Sequence, residues 1–382
     1  MILARAVILL MQKLFFSLAG ILGIGFLIGF HELGHFLFCK LFNIRTPSFS
    51  IGFGPRLIKK KIGETEFALS AIPLGGYVEI AGSAELGQGK QEEAHATDPQ
   101  SFNQKPLYQK LLVMLGGILF NLAFAYGALT LLFMLGMPKS PLLYPFNTRP
   151  VVAEVVKASP AEEANILPGD QILAIDGQSI QDSHDAVPHI IETIKPLAGK
   201  RTSITIKRDG QTQEKPITIG GTDTGMMGIV FDIIEVPAYS IIESIKNAFR
   251  LTNNYIIMTA KAYKNIFVKK DVSNMGGPLA VMAVTMKGAG QGFGIYLLIL
   301  AIISINLAVL NLLPLPILDG GQILFSLVEA IIRRPIPIKI KEYIHLASWL
   351  LILALLIYLS YNDLMKIITP YLEKLMIFFK LK

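Results

Sequence analysis

The sequence predicts an α-helical membrane protein with four transmembrane helices, a small membrane-associated β-sheet and an inserted α+β domain. Hydrophobic residues make up 52% of the 382 residues and charged residues only 16%, which is too apolar for an ordinary soluble domain. Four uncharged runs approach the roughly 20 residues that a helix needs to cross a bilayer. A longer polar stretch between the second and third runs alternates strand-like segments with turns, which indicates a separate folded domain.

The apolar runs predict transmembrane helices at about 14–38, 107–137, 290–318 and 344–366. The first run has a basic flank and a small-residue "SLAG" segment that could mark a signal peptide. We reject that interpretation because cleavage there would cut the helix that carries the motif described below, and the apolar run continues to Phe38.

Basic residues are concentrated in the loop between the first and second spans and in the loop between the third and fourth, which includes Arg333 and Arg334. The positive-inside rule therefore places both loops in the cytoplasm and residues 138 to about 287 on the opposite side. The net charge of +7 then reflects membrane topology, and we expect no nucleic-acid partner. A single cysteine excludes an internal disulfide.

Four regions follow from this pattern. They are a first membrane half at 1–137 with a β-sheet at 47–82 and a polar loop at 83–105, an exported domain at 150–232, an amphipathic helix and loop at 238–287, and a second membrane half at 288–382. Within the exported domain, residues 159–180 combine a short helix, a Pro-Gly-Asp turn, an apolar strand and an Asp-Gly hairpin turn, a succession that resembles the PDZ fold of exported proteases.

The first span contains the segment HELGH at 31–35. His31 and His35 lie four residues apart, so a helix places both imidazoles on one face, where they can reach a single metal ion. Glu32 lies beside them. This is the HExxH arrangement of zinc hydrolases, in which the glutamate acts as a base on water. An ionisable cluster at bilayer depth is costly and therefore indicates function.

A catalytic zinc takes three protein ligands, so one more is required. Cys39 continues the stripe, but eight residues of helix span about 12 Å, too far to share an ion with His31. Asp319 is the strongest candidate because it ends a long uncharged run and follows Pro314 and Pro316, which break the helix. A broken helix at membrane depth is tolerated where it is buried in protein or lines a water-filled cavity. An ordinary helix cap at the headgroups is the alternative for Asp319.

HExxH in the first span, "GFGP" after it, the PDZ-like insert and NxxPxPxLDGG at 311–321 together resemble the site-2 protease family of intramembrane zinc metalloproteases. The similarity is greatest to bacterial members of the regulator of sigma-E protease type, here with a single PDZ-like domain. The resemblance implies that His31, His35 and Asp319 bind Zn²⁺, that Glu32 is the catalytic base, and that Asn311 and Asn121 position the substrate.

The resemblance further implies transmembrane substrates that were trimmed beforehand, such as anti-sigma factors and remnant signal peptides, and a bacterial inner-membrane location with the PDZ-like domain extracytoplasmic. An unwound substrate could pair as an added strand with Gly75, Gly76 and Tyr77 of the predicted sheet. Two other functions are considered: a non-catalytic membrane receptor or scaffold that presents the PDZ-like groove, and a metal transporter. A transporter requires ionisable residues in several spans, and the uncharged runs Leu111–Met137 and Leu346–Asn362 contain no Asp, Glu, Lys, Arg or His.

Overall fold

The computed structural model describes residues 2–83, 93, 96–182, 186–221, 225–269 and 275–380. Residues 84–92, 94 and 95 of the predicted polar loop at 83–105 fall outside the described part of the chain. The chain divides into two compact units, one formed by Met1–Thr130 with Ile245–Lys382 and the other by Leu131–Ser244.

The first unit is built on long helices. In chain order the helices that lie wholly or partly in it are α1 (Ile2–Leu41), α2 (Leu107–Leu135), α5 (Ile241–Lys269), α6 (Pro278–Gly290), α7 (Phe293–Asn311), α8 (Asp319–Ile332) and α9 (Ile338–Lys380). Among the described residues, four helical segments are long and apolar enough to cross a membrane: Leu10–Leu41, Leu107–Leu135, Phe293–Asn311 and Lys339–Lys366. The predicted α-helical membrane class with four spans is confirmed.

Prolines explain two differences between the helix boundaries and the expected ones. The third span ends at Asn311, although the apolar run continues to Leu318, because Pro314 and Pro316 cannot supply the backbone N–H groups that a continuing helix requires. Helix α6 starts at Pro278, inside a segment expected to be a loop. A proline is well suited to the first turn of a helix, where its missing N–H costs nothing.

A long bent hairpin follows α1. Strands β1 (Ser48–Ile62) and β2 (Thr65–Glu79) are antiparallel. The first four residues of β1 pair with β2 twice, with 66–69 on one side and with 76–79 on the other. Residues 76–79 therefore form an outer edge of this sheet. Phe49 and Val78 pack with Val113 and Met114 of α2 in a buried cluster, which fixes the hairpin against the helices.

The second unit contains the predicted PDZ-like domain. Its strands are β3 (Thr148–Val155), β4 (Gln171–Ile175), β5 (Gln178–Ser179), β6 (Arg201–Arg208), β7 (Gln211–Thr218) and β8 (Ile229–Ile233). They form an antiparallel sheet in the order β7-β6-β4-β3-β8, with β5 paired to β4. Helices α3 (Pro160–Glu163) and α4 (Ala186–Ile194) complete the α+β fold, and Ile172, Val187 and Ile204 are fully buried in its core.

Candidate metal centre

The two histidines of α1 converge as their spacing predicts. His31 and His35 are both buried, and their Nε2 atoms lie 3.2 Å apart. No residue of the HELGH segment breaks the helix, which runs without interruption to Leu41. The pair therefore presents two imidazole nitrogens to one point.

Asp319 reaches the same point from the second membrane half. It is the first residue of α8, which follows the segment that the two prolines disrupt. Gly320 and Gly321 allow the first turn of α8 to lie directly on that segment, because a Cβ on Gly320 would collide with the carbonyl oxygen of Leu313 and one on Gly321 with that of Leu315. The Leu-Asp-Gly-Gly sequence thus positions the carboxylate toward α1.

The three side chains form a triangle. Asp319 Oδ2 lies 3.3 Å from His31 Nε2, and Asp319 Oδ1 lies 3.4 Å from His35 Nε2. Two ligands of a tetrahedral zinc ion with bonds of about 2.0–2.1 Å are about 3.3 Å apart. Asp319 Oδ2 is buried and makes no hydrogen bond within the described part of the chain. The donor set, its spacing and this unpaired oxygen fit zinc.

Glu32 lies next to the triangle but outside the group of side chains that can share an ion, which comprises His31, His35 and Asp319. Its carboxylate accepts a hydrogen bond from the backbone N–H of Val78 in β2. A Cβ on Gly76 would lie 3.4 Å from the Cγ of Glu32. The hairpin therefore holds Glu32 beside the ligand set rather than within it, as a base requires.

Helix α2 contacts the far side of both imidazoles. His35 Nδ1 lies 2.8 Å from the backbone carbonyl oxygen of Val113, to which it donates when that nitrogen carries the proton. The side-chain amide of Asn121 lies 3.1 Å from His31 Nδ1. A hydrogen-bond partner on the ring nitrogen that does not bind the metal fixes the tautomer of a metal-binding histidine. Sequence reasoning missed Val113, since a backbone carbonyl leaves no mark in the residue type.

The open side of the triangle faces a cavity of about 210 Å³. Asn311, the last residue of α7, lines it, and its Nδ2 lies 3.4 Å from His31 Nε2. Ile28, Leu307 and Ile317 contribute apolar walls. The cavity has room for water together with polar groups to bind it.

The strand residues expected to pair with substrate lie at the sheet edge, but only one of them approaches the triangle. Gly76 is opposite Ile51 in β1 and packs beside Glu32. Gly75 is covered by the ring of Phe53, which also stacks on Tyr77. Gly75 has φ of +141°, which a side chain rarely tolerates, so the chain bends at this point.

Known proteins with similar sequences account for this arrangement. The model of peptidase family M50 matches residues 19–355. The chain belongs to peptidase family M50. A protein of Campylobacter jejuni whose name describes a candidate zinc metalloprotease is 33% identical over 383 residues, 95% of this chain and 97% of the relative. A protein of Clostridium perfringens with the same description is 33% identical and covers 87% of this chain and 94% of its own length.

Solved structures that match this M50 chain include one of a separate domain. The PDZ domain of an SdrC-like protein from Listeria monocytogenes is 23% identical, and the match covers 22% of this chain and 88% of that one, with a TM-score of 0.19. Membership in the family confirms the predicted resemblance to site-2 proteases and the predicted zinc cofactor. This M50 protein is a zinc metalloprotease of the membrane.

Within the described part of the chain, Cys39 and the remaining histidines do not join the centre. Cys39 is fully buried in the cluster with Ile44 and Phe49. His345 in α9 is buried, and its Nε2 lies 3.0 Å from the side-chain amide of Gln322. His189 in the PDZ-like domain is exposed, whereas His95 and His184 fall outside the described residues.

Proposed function

We propose that this protein is an intramembrane endopeptidase that hydrolyses peptide bonds within the transmembrane segments of membrane proteins that were trimmed beforehand. One observation carries the proposal. The triangle of His31, His35 and Asp319, with Glu32 beside it, takes two of its three ligands from a span-length helix, Leu10–Leu41. A hydrolytic centre at that depth has access to bonds that a soluble protease cannot reach.

The proposed roles follow from the positions of the side chains. His31, His35 and Asp319 would bind zinc. When bound, the metal supplies Lewis-acid catalysis, polarising the scissile carbonyl and lowering the pKa of water to about 7. Glu32 takes a proton from the attacking water as the oxygen-carbon bond forms, and it returns that proton to the amide nitrogen as the carbon-nitrogen bond breaks.

Asn311 is placed to act on the substrate. Its Nδ2 faces His31 Nε2 across the open side of the triangle. If that nitrogen binds metal it has no lone pair left to accept a hydrogen bond, so the amide N–H groups of Asn311 can donate to the scissile carbonyl oxygen as it gains negative charge. Removing such a donor typically costs about 100-fold to 1,000-fold in kcat.

A transmembrane substrate must unwind before it can be cut, because a helix keeps its amides in internal hydrogen bonds. The outer edge at 76–79 offers a partner. Gly76 presents backbone without a side chain next to Glu32, and a substrate strand added to this edge would bring its backbone alongside the catalytic base. We propose that Gly75, Gly76 and Tyr77 form the pairing segment, with the bend at Gly75 marking its start.

The substrate class and location remain as the sequence predicts. We propose single-span proteins such as anti-sigma factors and leftover signal peptides, with the PDZ-like domain excluding proteins whose exported parts are still large. The basic loops support an extracytoplasmic location for that domain in a protein of the bacterial inner membrane. Lipid contact is supported by the exposed apolar side chains of α5, including Ile245 and Phe249, which suit a helix at the membrane surface.

The test is cleavage of a synthetic transmembrane peptide by the purified full chain in liposomes. We expect hydrolysis that stops when zinc is removed with a chelator and returns when zinc is added. Glu32→Gln should abolish cleavage while keeping zinc, because the side chain lies outside the ligand set. Glu163→Gln, at an exposed carboxylate of α3, is the matched control and should cleave normally.

Two results would contradict the proposal. Cleavage by Glu32→Gln at the normal rate would exclude Glu32 as the base. Stoichiometric zinc without any hydrolysis of membrane peptides by the unmodified chain would instead favour a receptor or scaffold that keeps zinc for structure.

A further inference from the structure

One stripe of α2 forms the back wall of the metal centre. Val113, Gly117 and Asn121 are spaced four residues apart and so lie on one helix face. The Val113 carbonyl contacts His35, and Asn121 contacts His31. Between them, Gly117 leaves room for the rings, because a Cβ there would lie 2.6 Å from His31 Nδ1.

The side chain of Asn121 lines the cavity beside the triangle, and the polar partner of its amide is a histidine. The residue is fully buried, and its side chain meets His31 at Nδ1, on the opposite edge of the ring from the Nε2 that faces Asp319. Its backbone carbonyl accepts a 2.8 Å hydrogen bond from the Ser304 hydroxyl of α7. Asn121 is thus held by a neighbouring span, with its side-chain amide against His31.

The ring nitrogen of His31 that carries the proton determines whether the oxygen or the nitrogen of the Asn121 side-chain amide must face Nδ1. As placed, Nδ2 of Asn121 faces Nδ1 of His31, and Oδ1 is buried without a hydrogen-bond partner among the described residues. That arrangement requires His31 Nδ1 to accept, which leaves the proton on Nε2 and no lone pair for a metal. The oxygen and nitrogen of an amide are assigned from such networks. With the metal on Nε2, Oδ1 must face Nδ1.

We infer that Asn121 is a positioning residue that accepts a hydrogen bond from His31 Nδ1 through its Oδ1 and thereby keeps Nε2 of His31 available for zinc. The Val113 carbonyl does the same for His35. One helix then sets the tautomer and the ring orientation of both histidine ligands. This inference rests on the proposed metal-binding roles of His31 and His35, and it replaces the predicted contact of Asn121 with substrate.

The experiment compares zinc affinity of the full chain in detergent, by competition with a chelator, for two substitutions of similar size. Asn121→Leu removes the acceptor, and Asn121→Asp keeps one. Loss of a hydrogen-bond partner of a metal-binding histidine typically lowers metal affinity about 10-fold to 100-fold. We expect that loss in Asn121→Leu and an affinity within threefold of the unmodified chain in Asn121→Asp.

A matched control comes from α7. Asn306 accepts a 2.8 Å hydrogen bond from Thr259 of α5, so Asn306→Leu removes an interhelical hydrogen bond of a span without touching a histidine. We expect it to retain full zinc affinity. Proton NMR of the cobalt-substituted chain adds a direct readout. Two exchangeable Nδ1–H signals are expected from the ligand imidazoles, of which Asn121→Leu should broaden or lose one and Asn121→Asp should keep both.

Three outcomes overturn the inference. Zinc affinity of Asn121→Leu within threefold of the unmodified chain shows that the acceptor is not needed. An equal loss in Asn121→Leu and Asn121→Asp shows that packing alone matters. A raised KM with normal zinc affinity assigns Asn121 to the substrate after all. Failure of the unmodified chain to bind zinc overturns the proposed function instead, so the two failures are distinguishable.

Discussion

Adding one methyl group at Gly117 should disable the metal centre without unfolding the protein. A Cβ built on Gly117 lies 2.5 Å from His35 Nε2 and 2.6 Å from His31 Nδ1, whereas real Cβ contacts are almost never under 3.0 Å. To restore ordinary van der Waals contact, the two imidazole rings must move away from α2 by about 1 Å. Moving α2 away as a whole would instead break its close packing on α1 at Gly34 and Gly116.

The expected loss follows from the size of that displacement. The ligand triangle has edges of 3.2–3.4 Å, so a ring shift of this size takes at least one nitrogen out of bonding distance of a common ion. A misplacement of about 1 Å can cost about 100-fold, which corresponds to about 2.7 kcal/mol. We expect Gly117→Ala to lose zinc affinity and hydrolysis by about that factor.

Gly127→Ala provides the control on the same helix. A Cβ on Gly127 meets nothing within 4 Å, and replacing glycine by alanine in a helix is favourable by about 0.5–1 kcal/mol. Both variants gain helix propensity, but only Gly117→Ala should lose metal in a chelator-competition assay, while thermal melting shows that both remain folded. Gly117→Ala binding zinc within threefold of Gly127→Ala would refute the steric argument.

Three further predictions concern other parts of the chain. Asp319→Ala should lower zinc occupancy together with activity, whereas His189→Ala should change neither, and full occupancy in Asp319→Ala by metal analysis would exclude its carboxylate as a ligand. Deleting residues 150–232 should leave cleavage of short trimmed substrates intact and admit longer ones, so loss of short-substrate cleavage by a folded deletion variant would contradict the filter. In the PDZ-like domain, burial alone would raise the pKa of Asp170, but the Arg208 guanidinium and the Leu167 N–H outweigh it and lower that pKa. A carboxyl group with a lowered pKa stabilises the folded domain at pH values above its unfolded pKa of about 3.9, and this stabilisation is lost as the pH falls through its folded pKa. In Asp170→Asn, the stability of the domain measured by amide hydrogen exchange should therefore depend less steeply on pH below about 4.

Much of the catalytic chemistry could be predicted from short-range sequence alone. The helical repeat fixes which residues share a face, so the spacing of His31 and His35 determines that both imidazoles reach one point. The number of long uncharged runs likewise determines the number of spans, because a helix needs about 20 mostly apolar residues to cross a bilayer. The proline pair and the glycine pair around Asp319 marked a break at membrane depth, and a break carrying a charge indicated function.

Tertiary structure decided everything that depends on contacts between distant segments. The sequence nominated Asp319 by elimination, but only the packing of α8 against α1 brings its oxygens within 3.4 Å of the histidines. Asn121 appeared in the sequence as one polar residue in an apolar span, and its side chain could equally have faced substrate. Its contact with His31 Nδ1 depends on the close approach of α1 and α2 at glycines, and the Val113 carbonyl is invisible to any residue pattern. The sequence determines side-chain chemistry and local periodicity. The hydrogen-bond partners of the two histidines depend on where the backbone of α2 lies, which only the folded chain defines.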